Sequence, residues 1–495
     1  MILAARTTAN NTAYKFVPKH SMQKFILIYS FLFFPVLSLW SQQPALYTPD
    51  QLKQDLSIFR NALTEAHPGL YRYQSKKEVE EQFSLVEKQL NRSMTEEAFY
   101  RLLNPLVANI HCAHTKFHRE GKPDDPYAFH QEGLFPLKLY FQPDGKVYVL
   151  NSFTDDKTVP PSSEVLRVNG KNIGEIKDLL FRQITADGHV ISSKYQELNQ
   201  FFPGYYANFI GTADYFTIDY KEEGHDEIAT KKLAAAISSQ IVSKQQVENS
   251  ATPFHLSFPK PGVALMKIDV FMAPEEQFES FLSNSFNELK NKNTEHLILD
   301  LRDNEGGMDR FGARLYAWLT NKPFRYYDHL SVASMPPYSF APYAVLPEEL
   351  DQLKAFIKKQ GNGYVFTQHP NLGIQQPEAD PFTGKLYILQ NGRSLSVTSE
   401  FAAVVRDNNR GTFIGEESGG AISGNNSGGF AQVKLPNTHL GLDIPLLGYY
   451  MYLQRHHQPD RGILPEFPVN ISVNDILQQK DPVLEKALQL THEAK

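Results

Sequence analysis

The sequence predicts a mixed α/β (α+β), multidomain protein, and three observations predict it. Residues 49–120 space apolar residues at helical intervals, residues 128–233 break into short strand-like runs joined by turn dipeptides, and residues 253–475 alternate strand-like with helix-like segments. At 495 residues the chain exceeds one average domain, and 41% hydrophobic residues are enough for a sizeable core.

The first segment expected is an export signal. From Met22 the chain reads MQKFILIYSFLFFPVLSLWSQQ: Lys24 supplies a positive start, Phe25–Leu39 an apolar core, and Ser41–Gln43 a small or polar exit. The core is short and broken by proline, so no stable membrane span is expected after its removal. No cysteine follows it, so no lipid anchor is expected, and the protein is expected to be periplasmic or secreted. Residues 1–41 are therefore assigned to this signal and an upstream extension.

Residues 46–125 are expected to form a helical unit. TPDQLKQDLSIFRNALTEAHPGLY opens on a Thr-Pro-Asp start and places Leu52, Leu56, Phe59 and Leu63 on one face. KKEVEEQFSLVEKQLN and MTEEAFYRLLNPLVANI continue the pattern up to HCAHTKF. Residues 126–240 are expected to be β-rich. Asp144-Gly145 joins two strands in a hairpin, EVLRV leads through an Asn-Gly turn into a helix start, strand material runs to about residue 233, and AAAISSQIVSKQQVENS reads as a polar linker. Residues 253–475 are expected to be an α/β core and residues 476–495 a C-terminal helix. Within the core, residues 321–384 form a long Pro- and Tyr-rich insertion with one helix, PEELDQLKAFIKKQG, and with Tyr326, Tyr327 and Tyr338 as candidate cleft-lining aromatics.

Charge and cysteine content exclude several functions. Forty-nine basic and 55 acidic side chains give a net charge of −6 without a basic run, so nucleic acid is not an expected partner. The lone cysteine, Cys112, excludes an internal disulfide and a cysteine-based zinc site.

Three stretches carry candidate chemistry. NGRSLSVTSEFAAVV (Asn391–Val405) places Ser394, Ser396, Thr398 and Ser399 between a strand and a helix. A serine there sits beside unpaired backbone N–H groups and the positive end of the helix dipole, where an oxyanion is stabilised; the alternative is that these hydroxyls only cap the helix. LILDLRDNEGGMDRF (Leu297–Phe311) ends a buried strand in Gly306-Gly307, which either lets backbone approach a ligand or makes a tight turn. NIHCAHTKF holds His111 and His114, which share a face if the segment is helical; they are either structural or a metal pair, with no H-E-x-x-H and no third ligand.

Taken together, these stretches resemble the S41-type serine peptidases, the C-terminal-processing and tricorn-core family. LILDLRDNEGG resembles the family's strand-plus-glycine segment, NGRSLSVTSEFAAVV its nucleophile segment, TFIGEESGG the strand that follows, and DRGILPEF (Asp460–Phe467) a further match, in the family's order across roughly residues 49–475. EVLRVNGKNI resembles the second half of a PDZ module, without that module's Gly-Leu-Gly-Phe carboxylate loop. The resemblance implies a ClpP/crotonase-like catalytic core preceded by a PDZ-like module, and a peptidase acting on peptide or protein substrates without metal or cofactor.

It also implies residue roles. The nucleophile falls on Ser396; alignment to a shorter SASASE form would reach Val397, which cannot attack a carbonyl. The oxyanion donors would be the N–H groups of Val397 and of Gly306 or Gly307. One branch uses a lysine in a GExTxGKG context, but here Ala421 holds that place. The tricorn-like branch takes a histidine from a segment resembling HCAHTKF, and His114 fits it, with His111 in reserve. Asp460 and Glu416 are the candidate orienting carboxylates. The alternatives are a non-catalytic ligand-binding protein on the same fold and an esterase using the same serine.

Overall fold

The computed structural model describes residues 44–245, 252–361 and 363–493; the expected export signal lies outside them. Three helices open the described chain: α1 (Pro49–Ala66), α2 (Lys76–Gln89) and α3 (Glu96–Ala108). Thr48 with Gln51 and Ser75 with Glu78 form capping boxes at α1 and α2, and Thr95 caps α3. Leu52, Leu56, Phe59 and Leu63 form the buried stripe of α1, as the spacing predicts.

The next layer is an antiparallel sheet ordered Leu137–Phe141, Val147–Ser152, Glu164–Val168, Tyr215–Lys221 and Ile228–Ala234. The expected Asp144-Gly145 hairpin joins its first two strands. Two helices here depart from expectation. Ser192–Phe209, kinked at Phe201, replaces part of the expected strand material, and Ser238–Gln245 occupies the expected linker. The first was hidden because Pro203 and a run of aromatics obscure its period. Leu198, Phe202 and Tyr206 nevertheless pack it onto the sheet.

The α/β core sheet runs Phe254–Lys260, Val263–Ile268, His296–Asp300, Lys385–Gln390, Thr412–Gly415 and Phe467–Pro468. The first pair is antiparallel and the rest are parallel. Every residue of His296–Asp300 is buried, because helices cover both faces. Leu297 and Leu299 point toward the helices Glu275–Asn291, Asp309–Ala317 and Val397–Asp407, whereas Ile298 points toward Pro482–Glu493.

A third sheet is built on the long hairpin Asn426–Lys434/Gly441–Met451. Lys116–His118, just after α3, pairs antiparallel with its second strand, Phe117 opposite Leu442. Asp55 of α1 adds a second tie. It is fully buried and accepts hydrogen bonds from the backbone N–H and side chain of both Asn437 and Thr438, at 2.6–3.0 Å. Asp55→Ala leaves those donors unmet, and urea denaturation is expected to show a loss of about 3 kcal/mol. Asp55→Asn, which keeps one acceptor, should lose less.

The 321–384 insertion differs from expectation in two ways. The predicted helix PEELDQLKAFIKKQG is helical only at Leu350–Leu353, with a 3-10 turn after it; Ile357–Gln360 then pairs with Gly363–Phe366 at the edge of the third sheet. The helical spacing loses to an available sheet edge. Tyr326 and Tyr327 are fully buried and Tyr338 nearly so, so these aromatics are core packing rather than cleft lining.

Candidate active site

Strand Lys385–Gln390 runs through the loop 391–395 into the helix Val397–Asp407. Three of the four hydroxyls in this stretch have structural work. Ser394 Oγ donates to Leu301 O at 2.8 Å and accepts from Asn391 N–H. Thr398 Oγ1 donates to Asn304 Oδ1 at 2.8 Å. Ser399 Oγ donates to Ser394 O at 2.6 Å and accepts from Gly420 N–H.

Ser396 is the exception. It holds the N-cap position without capping the helix, and its hydroxyl has no hydrogen-bond partner among the described residues. Its backbone is at φ 53°, ψ −126°, a conformation that non-glycine residues rarely adopt. Such strain at a strand-to-helix turn projects the side chain away from the helix end.

The glycine pair is packed against this serine. Gly306 and Gly307 have φ of 101° and 140°. A Cβ on Gly306 would lie 2.7 Å from Ser396 Cβ, and one on Gly307 would lie 2.2 Å from Phe271 O, so neither position admits a side chain. Of the three expected oxyanion donors, Gly306 N–H is engaged by Asn304 Oδ1 at 2.9 Å. Gly307 and Val397 N–H have no acceptor among the described residues. Asn304 was not anticipated. Its side chain ties Gly306, Thr398 and the Ile268 carbonyl together, fixing the glycine turn against the helix start.

His111 and His114 do not share a helical face. The chain leaves α3 in a turn with His111 at φ 59°, which sends the two rings apart. His111 stacks near His189, with ring centroids 4.4 Å apart, and its pKa is lowered to about 4 by burial and then by His189. His114 instead lines a cavity of about 670 Å³ together with Lys116, Glu197, Glu305, Arg393 and Leu395. Leu395 precedes Ser396 and Glu305 precedes Gly306, so the residues leading into the Ser396 and glycine turns border one cavity with His114. No hydrogen bond joins Ser396 to His114 among the described residues.

Neither expected orienting carboxylate is hydrogen-bonded or ion-paired to His114. Asp460 pairs with His189 Nδ1 at 2.9 Å. Glu416 accepts from Gln196 Nε2 and Gly392 N–H, bracing the loop before Ser396. The carboxylate beside His114 is Asp187, which sequence reading missed. Asp187 Oδ1 accepts from Ala113 N–H at 2.8 Å, while its Oδ2 and His114 Nδ1 are both buried without a partner. Burial pushes the Asp187 carboxyl above its ordinary value and the His114 imidazole below its own; each group's attraction to the other opposes that shift.

Donor atoms of Cys112, His114 and Asp187 lie within 4.8 Å of one another, forming the one such group of potential metal ligands among the described residues. Burial raises the Cys112 thiol to about 11, which disfavours the thiolate that a metal would need.

One turn beyond Ser396, Glu400 is fully enclosed and accepts from Tyr327 Oη at 2.7 Å and Asn425 Nδ2 at 2.8 Å. Burial, then Asp309, raises its carboxyl to about 8. The folded state therefore keeps a proton that the unfolded chain has already lost near pH 4.5, and stability falls as pH rises from about 4.5 to 8. Glu400→Gln is expected to remove that loss. Its melting temperature should match wild type near pH 5 and exceed it at pH 8, by the equivalent of at least about 1 kcal/mol.

Residues 262–469 match Peptidase family S41. No match is found among curated proteins. Among solved structures, mature CPAF is similar at 13% identity and a TM-score of 0.61, over 89% of this chain and 96% of that one. Mature CPAF complexed with lactacystin is similar at 12% identity and a TM-score of 0.60, over 89% and 97%. At these identities the likeness is one of fold, and it covers far more of the chain than the matched segment. Residues 262–469, which contain Ser396 and the Gly306-Gly307 turn, carry the match to peptidase family S41, and that match supports a serine-type peptidase.

Proposed function

We propose that the chain hydrolyses peptide bonds through an acyl-enzyme on Ser396, with His114 as the proton acceptor and Asp187 as the group that positions it. The observation that carries this reading is the division of labour in one turn: Ser394, Thr398 and Ser399 are hydrogen-bonded, and only Ser396 presents a free hydroxyl. Attack on a substrate carbonyl forms the Ser396 Oγ–C bond of a tetrahedral adduct while the hydroxyl proton passes to His114 Nε2. The oxyanion is held by Val397 and Gly307 N–H; its collapse breaks the C–N bond, the proton goes to the leaving amine, and the Ser396 ester remains. Water repeats the sequence on the ester. Forming the Ser396–His114 hydrogen bond requires substrate to settle the cavity, a tightening common in sites first seen without substrate.

A fluorophosphonate probe tests the nucleophile. Wild-type protein should label with one adduct per chain, mapped to Ser396 by mass spectrometry. Labelling at another serine would reject the assignment.

Export is proposed from residues 22–43 alone, whose pattern is that of a cleaved signal; N-terminal sequencing of protein recovered from the expressing cell checks it. No helix among the described residues is long and apolar enough to cross a membrane. The sheet spanning residues 137–234 is proposed as the PDZ-like module on the strength of EVLRVNGKNI. Without the glycine-rich loop, its role would be to shape the cavity through the helix Ser192–Phe209 rather than to grip a free C-terminus.

A further inference from the structure

Four carboxylates face the cavity that His114 and Leu395 border: Asp124, Asp125, Glu197 and Glu305. Three are neutralised. Asp124 pairs with Lys116, Asp125 with Lys122 at 3.9 Å, and Glu305 with Arg393 at 2.6 Å. Glu197 has neither an ion pair nor a hydrogen bond among the described residues. It projects from the helix Ser192–Phe209 one turn before Gln200, which binds Arg393. The two cations nearest to it, Arg393 and Lys116, thus already have carboxylate partners. Its surroundings push its carboxyl up to about 7, chiefly through burial; the charge of Arg393 opposes this shift and the like charge of Glu305 adds to it.

Glu197 is partly buried in the cavity wall, and a carboxylate there without a protein partner presents its negative charge to whatever enters the cavity. A peptide lying across Ser396 would bring a partner to it from the cavity side. We infer that Glu197 recognises a cationic side chain, lysine or arginine, of the substrate peptide. This rests on the peptidase reading of the cavity and names the substrate class for that site. The long stem of such a side chain suits the place: it can lie along Phe201 and Tyr205 on the same wall while its charged head reaches Glu197.

Binding to the inactive Ser396→Ala protein tests this without requiring turnover. The probes are two nine-residue peptide mixtures, random except for a central lysine in one and a central norleucine in the other, followed by fluorescence anisotropy. The lysine mixture is expected to bind at least tenfold more tightly, and the double variant Ser396→Ala/Glu197→Gln should lose that preference. Glu197→Lys in the same background should reverse it toward a mixture with central glutamate. Equal affinity for lysine and norleucine, or a preference that survives Glu197→Gln, would overturn the inference. Circular dichroism confirms that each variant is folded before it is scored. If the preference appears but active protein cleaves neither mixture, the peptidase mechanism fails while the cation site stands.

Discussion

Ser396→Ala is expected to lower kcat/KM on peptide substrates by on the order of 10⁴-fold or more and to abolish fluorophosphonate labelling. The size follows from the chemistry, because without the hydroxyl no acyl-enzyme forms and only binding and the oxyanion donors remain. Ser394→Ala and Ser399→Ala provide the contrast. Each removes a buried hydrogen bond, so each should cost about 1 kcal/mol of stability while retaining labelling. The strained turn adds a second readout. Alanine keeps the unfavourable φ of 53° and glycine does not, so Ser396→Gly should be inactive yet more stable than Ser396→Ala by about 1 kcal/mol. Substantial turnover by Ser396→Ala would end the proposed mechanism.

His114→Ala should cost on the order of 10²- to 10⁴-fold in kcat, the usual contribution of a positioned base. The pH profile distinguishes a base from a mere support. Burial holds His114 below the ordinary imidazole value of about 6.5, so the acidic limb of kcat/KM should lie below that pH. Asp187 opposes the depression by favouring the imidazolium. Asp187→Asn should therefore shift the limb to still lower pH as well as reduce kcat, whereas Asp460→Asn and Glu416→Gln should leave the limb in place. An unmoved limb in Asp187→Asn would show that Asp187 only anchors the Ala113 backbone.

The stretches that carry the candidate site were legible because each is local. A strand end, a serine and a helix start lie within a dozen residues, and Gly306-Gly307 follows its strand directly; order along the chain then tied them together. The helices α1 to α3 were legible for the same reason, since Thr48, Ser75 and Thr95 mark their starts. Asp187 was not legible. Nothing in ITADGHV distinguishes the proposed positioning carboxylate from a turn residue, and His114 lies 73 positions earlier, brought near only by tertiary packing. The same limit applies to Asp460, whose histidine neighbour is His189. It also explains the lost helix after Pro347: helical spacing there was real, but pairing between Ile357–Gln360 and Gly363–Phe366 depends on a sheet the local sequence does not announce.

The strand Lys116–His118, laid against Gly441–Met451, ties the segment that carries His114 to a hairpin more than three hundred residues later. His114 is held two residues ahead of a strand whose template is among the last parts of the polypeptide to leave the ribosome. With His114 as the base, a nascent chain has no competent proton acceptor until synthesis is nearly complete. On that proposal, the order of synthesis itself would delay activity until the C-terminal strands have folded.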